Sequence, residues 1–70
     1  MHLEEIISIL KERRLTLSVT QEHLAELSGV GLRTIKEIES GKGNPTFDTL
    51  SKLADVLGME IKLEVKKTLN

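Results

Sequence analysis

Seventy residues suffice for one small domain and are too few for an enzyme cleft with its own supporting shell. One Phe, no Trp or Tyr and no Cys exclude aromatic base-stacking platforms, aromatic cages, disulfide staples, thiol catalysis and cysteine-ligated zinc. Ten Lys/Arg against eleven Asp/Glu give a formal charge of −1, which excludes a nucleic-acid binder driven by phosphate charge alone but leaves room for a local positive patch. No apolar run approaches the roughly 20 residues of a membrane span. Acidic Glu4 and Glu5 do not resemble the start of a signal peptide. The expected setting is therefore cytoplasmic. A chain this small without staples often gains stability by oligomerising.

Leu3, Ile6, Ile7, Leu10 and Leu17 recur at helical spacing, with Arg14 in the gap, and predict a first helix ending near Thr16 or Leu17. Thr20 is a good N-cap for a second, short helix. Val19 and Leu24 stand at the hydrophobic-staple positions around that cap. Leu24, Ala25 and Leu27 are expected to face inward, and Gly29 to end the helix in a tight turn. A third helix is expected over residues 32–40, anchored by Ile35 and Ile38, opened by Gly31 and closed by Gly41. Lys42-Gly43-Asn44-Pro45 reads as a loop. Thr46 then caps a fourth helix with Phe47, Leu50, Leu53, Ala54 and Leu57 at helical spacing, stopped by Gly58.

From Met59 the period changes. Met59, Ile61, Leu63 and Val65 alternate with Glu60, Lys62, Glu64 and Lys66, which predicts a strand over residues 59–66 with one buried face. Residues 67–70 read as a tail. A lone strand leaves its backbone donors and acceptors unmet, and the chain offers no second candidate. The expected partner is the same strand of a second copy, antiparallel across a two-fold axis.

Two short helices joined across Gly29-Val30-Gly31 form a helix-turn-helix pattern over about residues 21–40. Gln21 opens it, small Ala25 permits close crossing, Gly29 turns the chain, and Ile35 and Ile38 anchor the second helix. With Ile35 inward, Arg33 and Glu37 fall within about 20° of the opposite face and Ser40 about 40° from it, with Lys36 and Thr34 on the flanks. Arg on such a face suits the major groove, where it can donate twice to guanine. Glu37 could accept from cytosine N4 and Leu32 could touch a thymine methyl. The plainer reading makes Arg33 and Glu37 a solvated i, i+4 ion pair. Gln21 lies at a helix N-terminus, which favours an anion such as phosphate. Thr34, Lys36, Ser40, Lys42 and Asn44 cluster around and after the third helix, where phosphate contact competes with ordinary loop solvation. Residues 32–44 carry Arg33, Lys36 and Lys42 against Glu37 and Glu39, a net of +1.

Thr20-Gln21-Glu22, Leu24-Ala25, Gly29-Val30, Thr34-Ile35, Ile38-Glu39, Gly41-Lys42 and Asn44-Pro45-Thr46 resemble the Cro/C1-type repressors of phages and bacteria, over about residues 3–58. Gly29-Val30-Gly31-Leu32-Arg33, Leu57-Gly58-Met59-Glu60 and the terminal strand are similar, more narrowly, to HipB-type antitoxins. The resemblance implies an all-α, four-helix, lambda-repressor-like domain over residues 1–58, with the dimerisation strand following. It implies Leu32, Arg33 and Glu37 near bases and Gln21 on phosphate. It also implies that Arg14 and Glu39 pair, holding the first helix to the third. Two positions depart from the pattern: Ser18 stands where the family has Gly, and Gly31 where it has a Ser cap.

His2 and His23 lack a paired ligand spacing, the serines lack a nucleophile elbow, and Gly41-Lys42-Gly43 is too short for a phosphate loop. No metal, cofactor or enzymatic activity is expected. The expected function is sequence-specific binding to double-stranded operator DNA as a homodimer that represses transcription. The HipB resemblance adds autoregulation and a HipA-like kinase toxin as partner. The alternatives are a stand-alone phage-type or restriction-controller regulator and a protein-interaction module without DNA binding.

Overall fold

The computed structural model describes residues 2–67. Four helices follow in order: α1 (Leu3–Thr16), α2 (Gln21–Ser28), α3 (Leu32–Glu39) and α4 (Phe47–Val56). Leu24, Ile35 and Leu57 lie fully buried at the centre. Leu10, Val30, Ile38, Leu50, Leu53 and Ala54 complete a core to which every helix contributes. α2 packs on both α3 and α4, and α1 packs on α3.

Local chemistry sets the boundaries. Thr20 Oγ1 accepts from His23 N–H at 3.0 Å, and Thr46 Oγ1 accepts from Thr49 N–H at 3.1 Å, so both helices start on a side-chain cap. Gly31 caps α3 without a side chain. Three helices end in the same closed turn, in which the second residue past the C-cap donates to the carbonyl five residues back. The donors are Val19 to Arg14, Lys42 to Glu37, and Met59 to Ala54. That turn needs a left-handed residue, supplied by Gly41 at φ 83° and Gly58 at φ 73°, but by Ser18 at φ 58° after α1. Ser18 is the one non-glycine residue with positive φ among the described residues.

Three expected inward residues lie outside the core. Leu27 is exposed because the inward face of α2 runs through Gln21, Leu24, Ala25 and Ser28, placing Leu27 about 110° from its centre. Phe47 is exposed at the first position of α4, three residues before the buried Leu50. Leu17 is exposed because α1 ends before it, and Val19 packs against the core after the turn.

The expected strand is not present in the single chain. Among the described residues no strand forms, and residues 60–67 make no backbone hydrogen bond to the rest. The physical reason is the one that makes the segment need a partner: the described residues hold no second extended segment to complete a ladder. Met59 and Ile61 still pack against the core, whereas Leu63 is 99% and Val65 96% exposed. Arg13 Nε donates to the Leu57 carbonyl at 3.0 Å, so α1 fastens the end of α4 where this segment departs. The radius of gyration, 13.1 Å, exceeds the roughly 11 Å of a compact chain of this length, as the projecting segment requires.

Candidate nucleic-acid interface

The outward face of α3 follows from its inward one. Ile35 is 0% exposed and Ile38 is buried beside it, which fixes the rotation of the helix and turns Arg33, Lys36, Glu37 and Ser40 to solvent. Leu32, half-buried, sits at the edge of this face near the helix N-terminus. Lys42, just beyond the closing turn, joins Leu32, Arg33, Lys36, Glu37 and Ser40 along one shallow, open concavity. Thr34 and Asn44 are also exposed but do not line it.

Arg33 Nε lies 3.2 Å from Glu37 Oε1, with side chains 94% and 48% exposed. The solvated i, i+4 pair is therefore formed in the free chain. Such an exposed pair is worth only about 0.3–0.5 kcal/mol, so it orders Arg33 weakly and opens at small cost. Ser40 Oγ donates to the Glu37 carbonyl at 2.9 Å, and its hydroxyl stays at the surface.

Behind this face is a second polar group. Arg14 is 7% exposed and lies within the core side of α1. Its Nε donates to Glu39 Oε2 at 2.7 Å and its Nη2 to Glu39 Oε1 at 2.8 Å. Its Nη1 donates to the Val19 carbonyl at 2.8 Å. Gln21 Nε2 donates to the same Glu39 Oε1 at 3.0 Å. Burial pushes the Glu39 carboxyl up, but the hydrogen bonds from Arg14 and Gln21 together with the Arg14 charge outweigh it and hold the carboxyl below the usual range. The hydrogen bond to Glu39 raises Arg14 further above its ordinary value. No buried side-chain polar atom among the described residues lacks a partner, so the pair is satisfied as a unit.

This arrangement alters the charge of the candidate surface. Glu39 is neutralised by Arg14 and turned inward, so it does not oppose the cations on the outer face. Arg33, Lys36 and Lys42 then face Glu37 alone, a local balance of +2 rather than +1. The Glu39 contact to Gln21 had no sequence signal beyond the helical periodicity that puts Gln21 on the inner edge of α2. It holds the amide at the first turn of α2, and an amide nitrogen has a second N–H for another acceptor.

Among the described residues no group of three or more His, Asp or Glu side chains has the arrangement of a metal site. None of the helices among them is long and apolar enough to cross a membrane. What the residues do form is a short helix, fixed in rotation by two isoleucines and preceded by a capped helix and a left-handed glycine, Gly29 at φ 75°. This is the geometry of a helix-turn-helix unit within a four-helix domain.

The sequence matches the helix-turn-helix family over residues 10–63, and the chain belongs to that family in its Cro/C1-type form. It is similar to the cryptic phage CTXphi transcriptional repressor RstR of Vibrio cholerae, with 38% identity over 52 residues covering 74% of this chain and 46% of that protein. It is also similar to HTH-type transcriptional regulators of Methanothermobacter thermautotrophicus, 38% identical over 76% of this chain and 77% of the relative, and of Archaeoglobus fulgidus, 40% identical over 76% and 75%. The match spans about half the length of the Vibrio protein.

Proposed function

We propose that this protein is a transcriptional regulator that binds a specific double-stranded DNA site through α3. The observation that carries the reading is the rotation of α3, which buries Ile35 and Ile38 and leaves Leu32, Arg33, Lys36, Glu37, Ser40 and Lys42 on one accessible surface. The relatives named as a transcriptional repressor and transcriptional regulators support it. Leu32, Arg33 and Glu37 are assigned to base edges. Gln21, Thr34, Lys36, Ser40, Lys42 and Asn44 are assigned to phosphates, where they position without reading sequence. The test is selection from a pool of random duplexes, followed by measurement of affinity against salt. A single enriched site, bound with an affinity that falls steeply with salt, is the expected result. No enrichment over random duplex leaves the fold as a protein-interaction module.

The functional unit in this reading is a dimer. Residues 1–58 form the DNA-binding domain, and residues 59–66 pair antiparallel with a second copy. The unpaired backbone of residues 60–67 and the exposed Leu63 and Val65 support this pairing. A closed two-fold sets two copies of α3 for successive major grooves, about 34–36 Å apart.

A narrower role as a HipB-like antitoxin, repressing its own operon and neutralising a HipA-like kinase toxin, rests on the residue resemblance at 29–33 and 57–60. Its test is co-purification: a kinase-like protein retained with the operator complex supports it, and operator alone favours a stand-alone repressor.

A further inference from the structure

We propose that the two terminal segments pair in one register only, centred on Leu63, with the partner's Val65 seated beside Ile61 in an apolar groove between α1, α4 and residues 59–62. This deepens the dimer of the proposed function and rests on it.

The faces of the segment are already sorted in the single chain. Met59 and Ile61 turn to the core, and Lys62 Nζ lies 3.6 Å from Glu60 Oε1 on the other side. In an antiparallel pair, residues directly opposite share a face, so odd residues must meet odd ones and the two-fold falls on a residue rather than between two. That leaves a short series of registers. Centring on Lys62 sets Lys62 against Lys62 of the partner subunit and Glu60 against Glu64 of the partner subunit. Centring on Glu64 sets Lys62 against Lys66 of the partner subunit. Both put like charges opposite one another, which is destabilising. Centring on Ile61 carries the pairing back into Leu57 and Gly58, which close α4 and whose Leu57 is buried. Centring on Val65 leaves Met59 and Ile61 without partners inside the segment.

Centring on Leu63 satisfies the charge pairs and keeps Ile61, Leu63 and Val65 paired inside the segment, with Met59 alone falling opposite residue 67. Lys62 faces Glu64 of the partner subunit and Glu60 faces Lys66 of the partner subunit, giving four opposite-charge pairs across the two-fold. Leu63 faces its own copy, and Ile61 faces Val65 of the partner subunit. Ile61 is one wall of a groove of about 250 Å³ whose apolar lining includes Ile6, Ile9, Leu10, Ala54 and Met59. The exposed Val65 of one copy thus has an apolar seat on the other, and the alternation of charge that marks the segment becomes a register code. The charge pairs and the seat beside Ile61 are met by the same segment of a second copy, so a second copy of this chain is the partner that fits.

The chain has no cysteine, so single introduced thiols report the register directly. Ile61→Cys, Lys62→Cys and Leu63→Cys are each taken in the full chain, sized by sedimentation and oxidised mildly. With the two-fold on Leu63, its introduced thiols lie within disulfide reach, those at 62 are a diagonal step away, and those at 61 are out of range. Leu63→Cys is expected to cross-link fastest, by about ten-fold or more over Lys62→Cys. A dimer that cross-links best at 61 or 62 overturns the register while leaving the dimer intact. A monomeric parent protein overturns the dimer itself. Charge reversal gives a second reading without a thiol. Lys62→Glu is expected to raise the dimer dissociation constant on the order of ten-fold, and adding Glu64→Lys to restore it. In registers centred on 61 or 62 the double variant keeps a like-charge pair, so failure of restoration also overturns the proposal.

Discussion

Arg14 and Glu39 meet through two parallel hydrogen bonds of 2.7 and 2.8 Å, linking the core side of α1 to the last turn of α3. The guanidinium fork matches both carboxylate oxygens, the geometry in which an Arg–carboxylate pair is strongest. The same two residues collect the Val19 carbonyl and the Gln21 amide. One buried pair thus ties together the turn after α1, the start of α2 and the end of α3, the three places that set the pose of the outer face of α3.

Removing either partner leaves a buried charge. Glu39→Ala is expected to destabilise the fold by up to about 3–5 kcal/mol, the range for breaking a buried pair. Glu37→Ala, which loses only an exposed pair with Arg33, is expected to stay within about 0.5 kcal/mol. Urea melts of the two variants test this, and equal midpoints would show that the Arg14–Glu39 pair carries no special share of stability.

Acid should reach the same pair. The folded-state pKa of Glu39 is lowered, so the unfolded chain binds its proton first as pH falls. The stability that the carboxylate supplies is fully present above the unfolded value of about 4.3 and is lost as pH falls through the lower folded value. Wild-type stability is expected to drop below about pH 4, and a Glu39→Gln variant, which has no carboxylate there, to lose less over that window. Parallel pH profiles for the two proteins would contradict the assignment.

Ser18 is a point of backbone strain. Its φ of 58° is the left-handed conformation that costs an L-residue about 1–2 kcal/mol. Glycine removes that cost and returns part of it as unfolded-chain entropy. Ser18→Gly is expected to stabilise by about 0.5–1 kcal/mol, a rise of roughly 2–8 °C in melting temperature for a domain of this size. An unchanged or lower melting temperature would show that the turn holds Ser18 by contacts beyond its backbone.

α2, α3 and α4 are legible because the sequence states each one twice, once in its apolar period and once in its punctuation, whereas α1 rests on its apolar period alone. Thr20, Gly29, Thr46 and Gly58 mark ends that the periods of Leu24, Ile35 and Leu50 already imply. Leu27 and Phe47 misled because period alone does not say how wide the buried face of a short helix is. Gln21 bonding Glu39 was illegible for another reason: the contact depends on how α2 crosses α3, which no local pattern records. The alternation at residues 59–66 states a strand, but its ladder needs a partner that one chain does not contain.

Gln21 tests the phosphate assignment. Gln21→Ala is expected to lower affinity for the selected site while leaving the preferred sequence unchanged, because phosphate contacts set position and do not read bases. It also removes one hydrogen bond from Glu39, at about 0.5–3 kcal/mol of stability, so affinity is measured at a temperature where the variant is folded. A changed consensus in the selection would move Gln21 to the bases.

Arg33 tests the recognition face itself. Its free-state partner is Glu37 at 3.2 Å, an exposed pair worth about 0.3–0.5 kcal/mol. A bidentate contact to guanine O6 and N7 discriminates by about 1–3 kcal/mol. The pair is weak beside that discrimination, so in the proposed contact it opens at small cost and leaves the Glu37 carboxylate available to a neighbouring cytosine N4. Arg33→Ala is therefore expected to weaken the selected site by about 1–3 kcal/mol and to relax preference at one guanine. Random duplex should be affected much less. Glu37→Ala should leave that guanine preferred and relax a different position. Equal losses of Arg33→Ala on selected and random duplex would make Arg33 a phosphate contact. No loss on either would remove the outer face of α3 from the groove.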